Sequence, residues 1–309
     1  MSFDETRIVP APGENLRPDL PGLAPFCIFA DRKNGNTTKM NHNFITMLGT
    51  GNAMATRCYN TCFVLGTATS RCLVDAGGGN GVLSQLEKAH IDLGEIHDMF
   101  VTHAHTDHIL GAVWVVRMVI NRLKNHRYEG RFTVYGHDKA LKVLDWICRE
   151  TFSAKDRSFL GESVRFCEVK DQDRFEVGDM RFQCFDILST KEKQFGFRVE
   201  LPGGRTLVCL GDEPYNEANR TYAEHADWLL CEAFCLYRDR DIFKPYEKHH
   251  STALEAGTLA EELGVKNLLL YHTEDRNLAI RKEAYRAEAL QHFTGQVFVP
   301  DDLETIDLD

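Results

Sequence analysis

Short runs of apolar residues alternate with amphipathic stretches along most of this chain, and the alternation predicts an α/β domain built in layers. The spacing of apolar residues predicts helices over residues 81–89 and 109–124. The best-marked helix begins near Thr252, which with Glu255 has the spacing of a capping box, and it ends at Gly264. Runs of strand length occupy residues 72–75, 99–101, 207–210, 229–231 and 266–271.

The beginning of the chain breaks this pattern. Residues 1–42 are rich in proline, glycine, asparagine and aspartate and show little periodicity, so they are predicted to form an irregular N-terminal extension. Residues 43–309 are predicted to form one further domain. Because 43% of the chain is hydrophobic, this domain has enough apolar material for a sizeable buried core.

Four of the apolar runs end at a residue that can bind a metal ion or move a proton. These residues are His103, Asp212, Glu232 and His272. If the runs are neighbouring buried strands, their ends converge at one edge of a sheet, which is where open α/β architectures place ligands. The sequence therefore predicts a functional site built from residues that are distant along the chain.

Three imidazoles and one carboxylate lie within residues 103–108. A buried imidazole or carboxylate without a partner costs about one to several kcal/mol, and a metal ion removes that penalty. His103 and His105 can point the same way from an extended segment, while Asp107 and His108 turn towards an adjacent position. The run therefore predicts a site for two ions rather than a solvated histidine cluster.

This run resembles the signature loop of the metallo-β-lactamase superfamily. Further segments resemble the other motifs of that superfamily in the same order, between about residue 44 and residue 300: the turn at residues 48–52, Asp75 with its glycines, Asp212 after Gly211, and His272 after Tyr271. The resemblance implies an α/β fold, a four-layer αββα sandwich. It also implies that Asp212 bridges two ions and that His272 is the last ligand.

Two segments narrow the resemblance to one branch. Residues 226–234 and 249–253 are similar to the glutamate motif and the His-Ser-Thr motif of ribonuclease Z-like phosphodiesterases. The resemblance implies that His250 assists at the phosphate and that Glu232 orients it. A carboxylate can fix the tautomer of an imidazole, which then donates to a phosphoryl oxygen or a leaving group. His249 is interpreted as an orienting or surface neighbour.

The sequence departs from this branch in two places. Superfamily members usually carry another histidine ligand before a Gly-aromatic pair, and residues 185–197 contain none. The ligands left are His103, His105 and Asp212 for the first ion, and Asp107, His108, Asp212 and His272 for the second, with Asp186, Ser189 or Thr190 as alternatives acting through water. Ribonuclease Z also has a long basic arm for tRNA, whereas here only residues 198–211 separate the Gly-aromatic pair from Asp212.

Charge and composition limit the partners. The net charge of −10 gives no general attraction for a polyanion, so a large nucleic-acid footprint is not expected. The chain begins without the basic and apolar segments of a signal peptide and contains no long apolar run, so a cytoplasmic protein with no membrane contact is expected. None of the ten cysteines forms a Cys-x-x-Cys pair, which is typical of a reducing compartment. A homodimer is implied by the resemblance alone.

Together these observations predict a metal-dependent hydrolase. The first hypothesis is a phosphodiesterase for a small or cyclic phosphodiester or a short oligonucleotide, with Asp107, His250 and Glu232 as catalytic residues. Two ions, zinc by ligand type with Mn²⁺ or Fe²⁺ as alternatives, would turn a bridging water into a hydroxide that Asp107 orients. Three alternatives stay open: a hydrolase acting on a lactone, thioester or amide, a metal-binding protein without catalysis, and an iron-dependent oxidoreductase.

Overall fold

A computed structural model describes residues 42–309 as a sandwich of two seven-stranded sheets with helices on both outer faces. The predicted extension over residues 1–42 lies outside the described residues, apart from His42. The four layers follow the predicted αββα order. All nine cysteines within the described range are free thiols. Between residues 42 and 309, no helix has both the length and the apolar character needed to cross a membrane.

The first sheet contains the N-terminal strands and one strand from the C-terminal end of the chain. Its strands are β1 (Phe44–Gly49), β2 (Cys62–Gly66), β3 (Arg71–Val74), β4 (Asp98–Val101), β5 (Phe132–Gly136), β6 (Val164–Glu168) and β14 (Thr305–Asp307). Their spatial order is β14-β1-β2-β3-β4-β5-β6. Strands β3 to β6 are parallel, and β14, β1, β2 and β3 pair antiparallel.

The second sheet repeats this division into a parallel half and an antiparallel half. Its strands are β7 (Arg174–Val177), β8 (Met180–Asp186), β9 (Phe195–Glu200), β10 (Thr206–Cys209), β11 (Trp228–Glu232), β12 (Asn267–Tyr271) and β13 (Gln296–Phe298). Their spatial order is β13-β12-β11-β10-β9-β8-β7. Strands β10 to β13 are parallel, and β7 to β10 pair antiparallel.

The described residues form eight α-helices: α1 (Gly81–Lys88), α2 (Thr106–Lys124), α3 (Asp138–Thr151), α4 (Ala154–Arg157), α5 (Arg220–Ala223), α6 (Arg240–Phe243), α7 (Ala253–Glu262) and α8 (Arg281–Ala289). Helices α1, α2 and α7 confirm the three predicted positions with small shifts at their ends, and the other five were not predicted. Helix α2 begins earlier than predicted, so Asp107 and His108 lie in its first turn. The capping box of Thr252 and Glu255 is present at the start of α7.

The strands near the centre of each sheet are apolar throughout because both of their faces are buried. In β4, Met99 and Val101 pack against helices α1 to α3, whereas Phe100 faces the second sheet. In β11, Leu230 faces the first sheet and Leu229 packs under the helices of the other side. Uninterrupted apolar runs therefore mark the middle of this sandwich.

The ends of the four predicted runs do converge, but across both sheets rather than at one edge of a single sheet. The run before His103 is β4 in the first sheet, whereas the runs before Asp212, Glu232 and His272 are the adjacent parallel strands β10, β11 and β12 of the second. The expectation of one sheet edge was wrong because a run of apolar residues does not reveal which sheet it belongs to.

The first turn of α2 packs directly on the glycine turn that follows β3. The Ala76 amide donates to the His108 carbonyl at 3.0 Å, and the Gly111 amide donates to the Gly77 carbonyl at 2.8 Å. A Cβ atom at Gly111 would lie 1.8 Å from the Ala76 oxygen, so this close approach requires glycine. The contact fixes Asp107 and His108 relative to Asp75.

Gly111→Ala is expected to destabilise the fold by about 2–3 kcal/mol, because α2 must move away from a backbone oxygen. A loss of that size lowers the melting temperature by about 5–10 °C, which differential scanning calorimetry measures. Gly79→Ala is the matched control, since a Cβ there meets nothing within 4 Å. Equal melting temperatures for the two variants would contradict this account of the turn.

Candidate metal centre

Four donor atoms meet where α2, β10 and β12 come together. Asp107 Oδ2 lies 3.3 Å from His108 Nε2 and 3.5 Å from His272 Nε2. Asp212 Oδ2 lies 3.5 Å from His108 Nε2 and 3.6 Å from His272 Nε2. All four side chains are buried. The structure therefore brings together the four residues predicted for the second ion.

These distances match the geometry of a tetrahedral metal site. An ion with bonds of about 2.0–2.1 Å holds its ligand atoms about 3.3 Å apart. Asp107 Oδ2, His108 Nε2 and His272 Nε2 are buried and have no hydrogen-bond partner among the described residues. Because orphaned buried polar atoms are costly, a cation between them explains both their burial and their convergence. The donor set fits the ion that the sequence predicts.

The predicted ligands of the first ion are only partly assembled. His103 Nε2 lies 3.5 Å from Asp212 Oδ2, and His103, His108 and Asp212 form a second converging group. His105 is outside the converging groups, although its Nδ1 is 2.9 Å from His103 Nε2. The same Asp212 oxygen faces both groups, as expected of a bridging carboxylate.

Asp75 and Thr102 fix the tautomers of two of these histidines. The Asp75 carboxylate accepts from the Thr102 hydroxyl at 2.7 Å and faces His108 Nδ1 at 2.7 Å. A carboxylate only accepts, so His108 carries its proton on Nδ1. The Thr102 hydroxyl gives its proton to Asp75 and therefore accepts from His103 Nδ1, at 2.9 Å. Both histidines are left with an unprotonated Nε2 facing the cluster, as metal ligation requires.

The charges in the cluster support cation binding. Burial alone would raise the pKa of Asp212, but His103 and His108 hold it well below its usual range. Burial likewise opposes charge on His108, yet Asp107 and Asp75 raise the pKa of its ring well above the usual value. Burial lowers the pKa of His103, which keeps this imidazole neutral and free to bind an ion. The carboxylates that favour a proton on His108 equally favour a metal cation at Nε2.

Two of the residues around the cluster have left-handed backbone conformations. Asp75 has φ of 54° and His272 has φ of 59°, each immediately after a buried strand. Such conformations are uncommon for residues other than glycine and persist when the surrounding structure imposes them. Here they turn the side chain from the strand direction towards the cluster.

Glu232 and His250 lie beside the cluster, and Glu232, His250 and His272 form a third converging group. His250 stacks on Phe234 with ring centroids 4.8 Å apart, and its ring centroid is 5.1 Å from that of His272. Glu232 accepts from the Ser251 amide at 2.5 Å. Glu232 Oε2 is 3.7 Å from His250 Nδ1, which is within ion-pair range but longer than a hydrogen bond. The orienting role predicted for Glu232 stays a prediction.

Burial dominates the protonation of this pair. It raises the pKa of Glu232 to about 8, although hydrogen bonds from Ser251 oppose the shift. It also lowers the pKa of His250 to about 3, and the charges of His272 and Lys191 act in the same direction. Both groups are therefore favoured in their neutral forms at neutral pH.

The loop between β8 and β9, where a histidine ligand was expected, carries no ligand to the cluster. Ser189 donates to Glu213 at 2.5 Å, and Thr190 pairs with the exposed His249 at 2.8 Å. Asp186 accepts from the Leu188 amide at 2.8 Å. The three alternative ligands of this loop are thus engaged elsewhere. In the same loop, Lys191 borders an open cleft of about 390 Å³ above the cluster.

The sequence profile of one family spans almost the whole described domain. The profile of the Anti-Pycsar protein Apyc1 family matches residues 44–296. The chain belongs to this family. The match covers every element that supplies a donor to the cluster, from β3 to β12.

Several known proteins are similar to this chain in sequence or in fold. A ribonuclease Z of Bradyrhizobium diazoefficiens is 23% identical over 306 residues, which cover 83% of this chain and 97% of that protein. The metallo-β-lactamase fold protein YhfI of Bacillus subtilis has a TM-score of 0.68 at 20% identity, covering 86% of this chain and 99% of that one. A diphosphatase of the PhnP family has a TM-score of 0.65 at 17% identity, covering 86% and 98%.

These comparisons confirm the predicted superfamily and fold. The Apyc1-family chain is a ribonuclease Z-like, metal-dependent hydrolase of the metallo-β-lactamase superfamily. The structure also confirms that no tRNA arm follows the Gly-aromatic pair. Strands β9 and β10 pair antiparallel, and a short turn over residues 201–205 joins them.

Sequence reasoning gave no role to Thr102, Phe234 or Lys191, and it noted Asp75 only as part of a motif. Thr102 directly precedes His103 and Phe234 lies two residues beyond Glu232, so proximity to a predicted ligand was an available signal. Lys191 offered no such signal in this Apyc1-family chain, because a lysine in a polar loop is typical of an exposed surface.

Proposed function

We propose that this protein is a phosphodiesterase that hydrolyses a small or cyclic phosphodiester or a short oligonucleotide. The supporting observation is the position of His250. Its ring is buried against Phe234, and its ring centroid lies 5.1 Å from that of His272, a candidate metal ligand. A metal cluster with an adjacent neutral imidazole suits an electrophile that needs both charge neutralisation and an N–H hydrogen bond to the departing oxygen.

Each group would have a distinct part in the reaction. The clustered histidines and carboxylates would hold metal ions, whose chemistry would be to neutralise charge on phosphoryl oxygens and to make water a better nucleophile. Asp107, at the floor of the cleft, would accept a hydrogen bond from the attacking water and hold it in line with the phosphorus atom. His250 would donate to the departing oxygen, and Glu232, whose Oε2 is 3.7 Å from His250 Nδ1, would hold that ring in place.

The size and charge of the site favour a small substrate. The cleft above the cluster is about 390 Å³, which accommodates a nucleotide-sized molecule. The net charge of −10 offers no extended attraction for a long polyanion. Zinc, with Mn²⁺ or Fe²⁺ as alternatives, a cytoplasmic location and a homodimer stay predictions.

The test compares two electrophiles on the same metal-loaded protein. Bis-p-nitrophenyl phosphate is expected to be hydrolysed and a panel of lactones is not. His250→Ala is expected to lower kcat for the phosphodiester about 10²-fold, because it removes an N–H group positioned to stabilise the charge on the departing oxygen. Cyclic nucleotides and short oligonucleotides then rank the natural candidates.

His249→Ala is the matched control for this experiment. His249 is the adjacent residue but is exposed, so its removal is expected to leave kcat within about twofold. Turnover of the lactones without turnover of the phosphodiester would overturn the proposal and favour the carbon-centred hydrolase. Equal losses in the two histidine variants would remove His250 from the mechanism.

A further inference from the structure

The loop between β8 and β9 places one cation at the edge of the metal cleft. The cleft is lined by Lys191 and by eight residues on or near the cluster: Ala53, Ala104, His105, Thr106, Asp107, Asp212, His250 and His272. Among these lining residues, Lys191 is the single lysine or arginine. A lysine side chain therefore borders the cleft above the cluster.

This loop is held in place at several points. The Ser189 hydroxyl donates to Glu213 and accepts from the amides of Lys191 and Glu192, each at 3.1 Å. Glu192 pairs with Lys139 at 2.5 Å on the outer side. Because these contacts fix the backbone on both sides of Lys191, the loop itself does not have to become ordered when a ligand binds.

The ammonium group of Lys191 is only partly satisfied by the protein. Its Nζ donates to the Lys248 carbonyl at 3.1 Å and lies 3.7 Å from Glu213 Oε1. An ammonium group has three N–H donors, so at least one is left for the cleft. The side chain is 23% exposed, which leaves this donor accessible to a small anion.

We propose that Lys191 binds a non-bridging oxygen of the substrate phosphate and so selects phosphodiesters over neutral esters. This inference rests on the proposed phosphodiesterase function. A charge-assisted hydrogen bond from an ammonium group strengthens binding of an anion, whereas a lactone offers no net charge to attract it. Lys191 lies in the loop where the superfamily resemblance led us to expect a histidine ligand, and this loop would contact the substrate instead of an ion.

The experiment measures inorganic phosphate as a competitive inhibitor of bis-p-nitrophenyl phosphate hydrolysis by the metal-loaded protein. Lys191→Met is expected to raise the inhibition constant of phosphate and KM about 10- to 100-fold, with metal content unchanged. Lys191→Arg keeps the charge and is expected to stay within about threefold of the wild type. Turnover of any neutral ester is expected to be unaffected.

Lys193→Met is the matched control. Lys193 is two residues along the same loop, but it points outwards and pairs with Asp138 at 2.5 Å. If Lys191→Met destabilises the fold by leaving the buried Glu213 carboxylate without a nearby cation, the double variant Lys191→Met/Glu213→Gln, which lacks both charges, is used in place of the single variant. An unchanged inhibition constant, an equal loss in Lys193→Met, or a parallel loss of metal would each overturn the inference. Failure of the wild type to hydrolyse the phosphodiester would instead overturn the proposed function.

Discussion

Asp212→Ala is expected to lower kcat/KM for bis-p-nitrophenyl phosphate by about 10³-fold or more, because the Asp212 oxygen is shared by both groups of donors. Asp212 Oδ2 lies 3.5 Å from both His103 Nε2 and His108 Nε2, and 3.6 Å from His272 Nε2. Without this carboxylate, the imidazoles of His103, His108 and His272 lose the negative charge between them, and the site binds cations more weakly. Steady-state kinetics and elemental analysis of the purified variant measure the two effects.

Asp227→Asn is the matched control for this loss. Asp227 is also buried, but it precedes β11 at the opposite end of the strand from the cluster, where Lys266 binds it at 2.6 Å. This variant is expected to lose stability and to keep its metal and its kcat. If Asp212→Ala retained both ions and most of its activity, the bridging role of Asp212 would be wrong.

Removal of metal with a chelator is expected to lower the melting temperature by about 10 °C. A free metal concentration of about 1,000 times the dissociation constant stabilises the native protein by about 4 kcal/mol. Each kcal/mol of stability corresponds to about 2–4 °C of melting temperature in a domain of this size. The physical cause is that the cation partners buried atoms such as Asp107 Oδ2 and His272 Nε2, which have no hydrogen-bond partner within residues 42–309. Calorimetry before and after chelation measures the shift.

Refilling with Zn²⁺, Mn²⁺ or Fe²⁺ in separate samples shows which ion restores the melting temperature most completely. The exposed-site variant His249→Ala is expected to show the same shift as the wild type. A stripped protein whose melting temperature does not change would mean that the clustered side chains satisfy one another without an ion, and the metal centre would have to be abandoned.

The convergence of most of these side chains could be predicted because they carry local signals. The dense group of imidazoles at residues 103–108 has no ordinary packing explanation, and each distant candidate ligand follows an apolar run. The capping box at Thr252 likewise marked the start of α7, and with it the position of His250. Short-range patterns of this kind are visible in the sequence because they arise from the geometry of a single strand or helix.

The remaining features depend on long-range pairing. That β4 and β10 belong to different sheets follows from their neighbours, which no local pattern encodes. The hydrogen bonds from Thr102 to Asp75 join residues 27 positions apart, and Lys191 reaches the cleft only because Ser189 and Glu192 are held from two other parts of the domain. Tertiary contacts thus decide which polar residues face the ions.

The division of the ligands between the two sheets has a consequence for the chain as a whole. His103 and His108 come from the part that contains β1 to β6, whereas Asp212 and His272 come from the part that contains β7 to β13. If the polypeptide were severed between β6 and β7, neither fragment alone would possess a bridging site. Catalytic competence would return only on reassociation of the two pieces, with β14 of the second pairing again with β1 of the first.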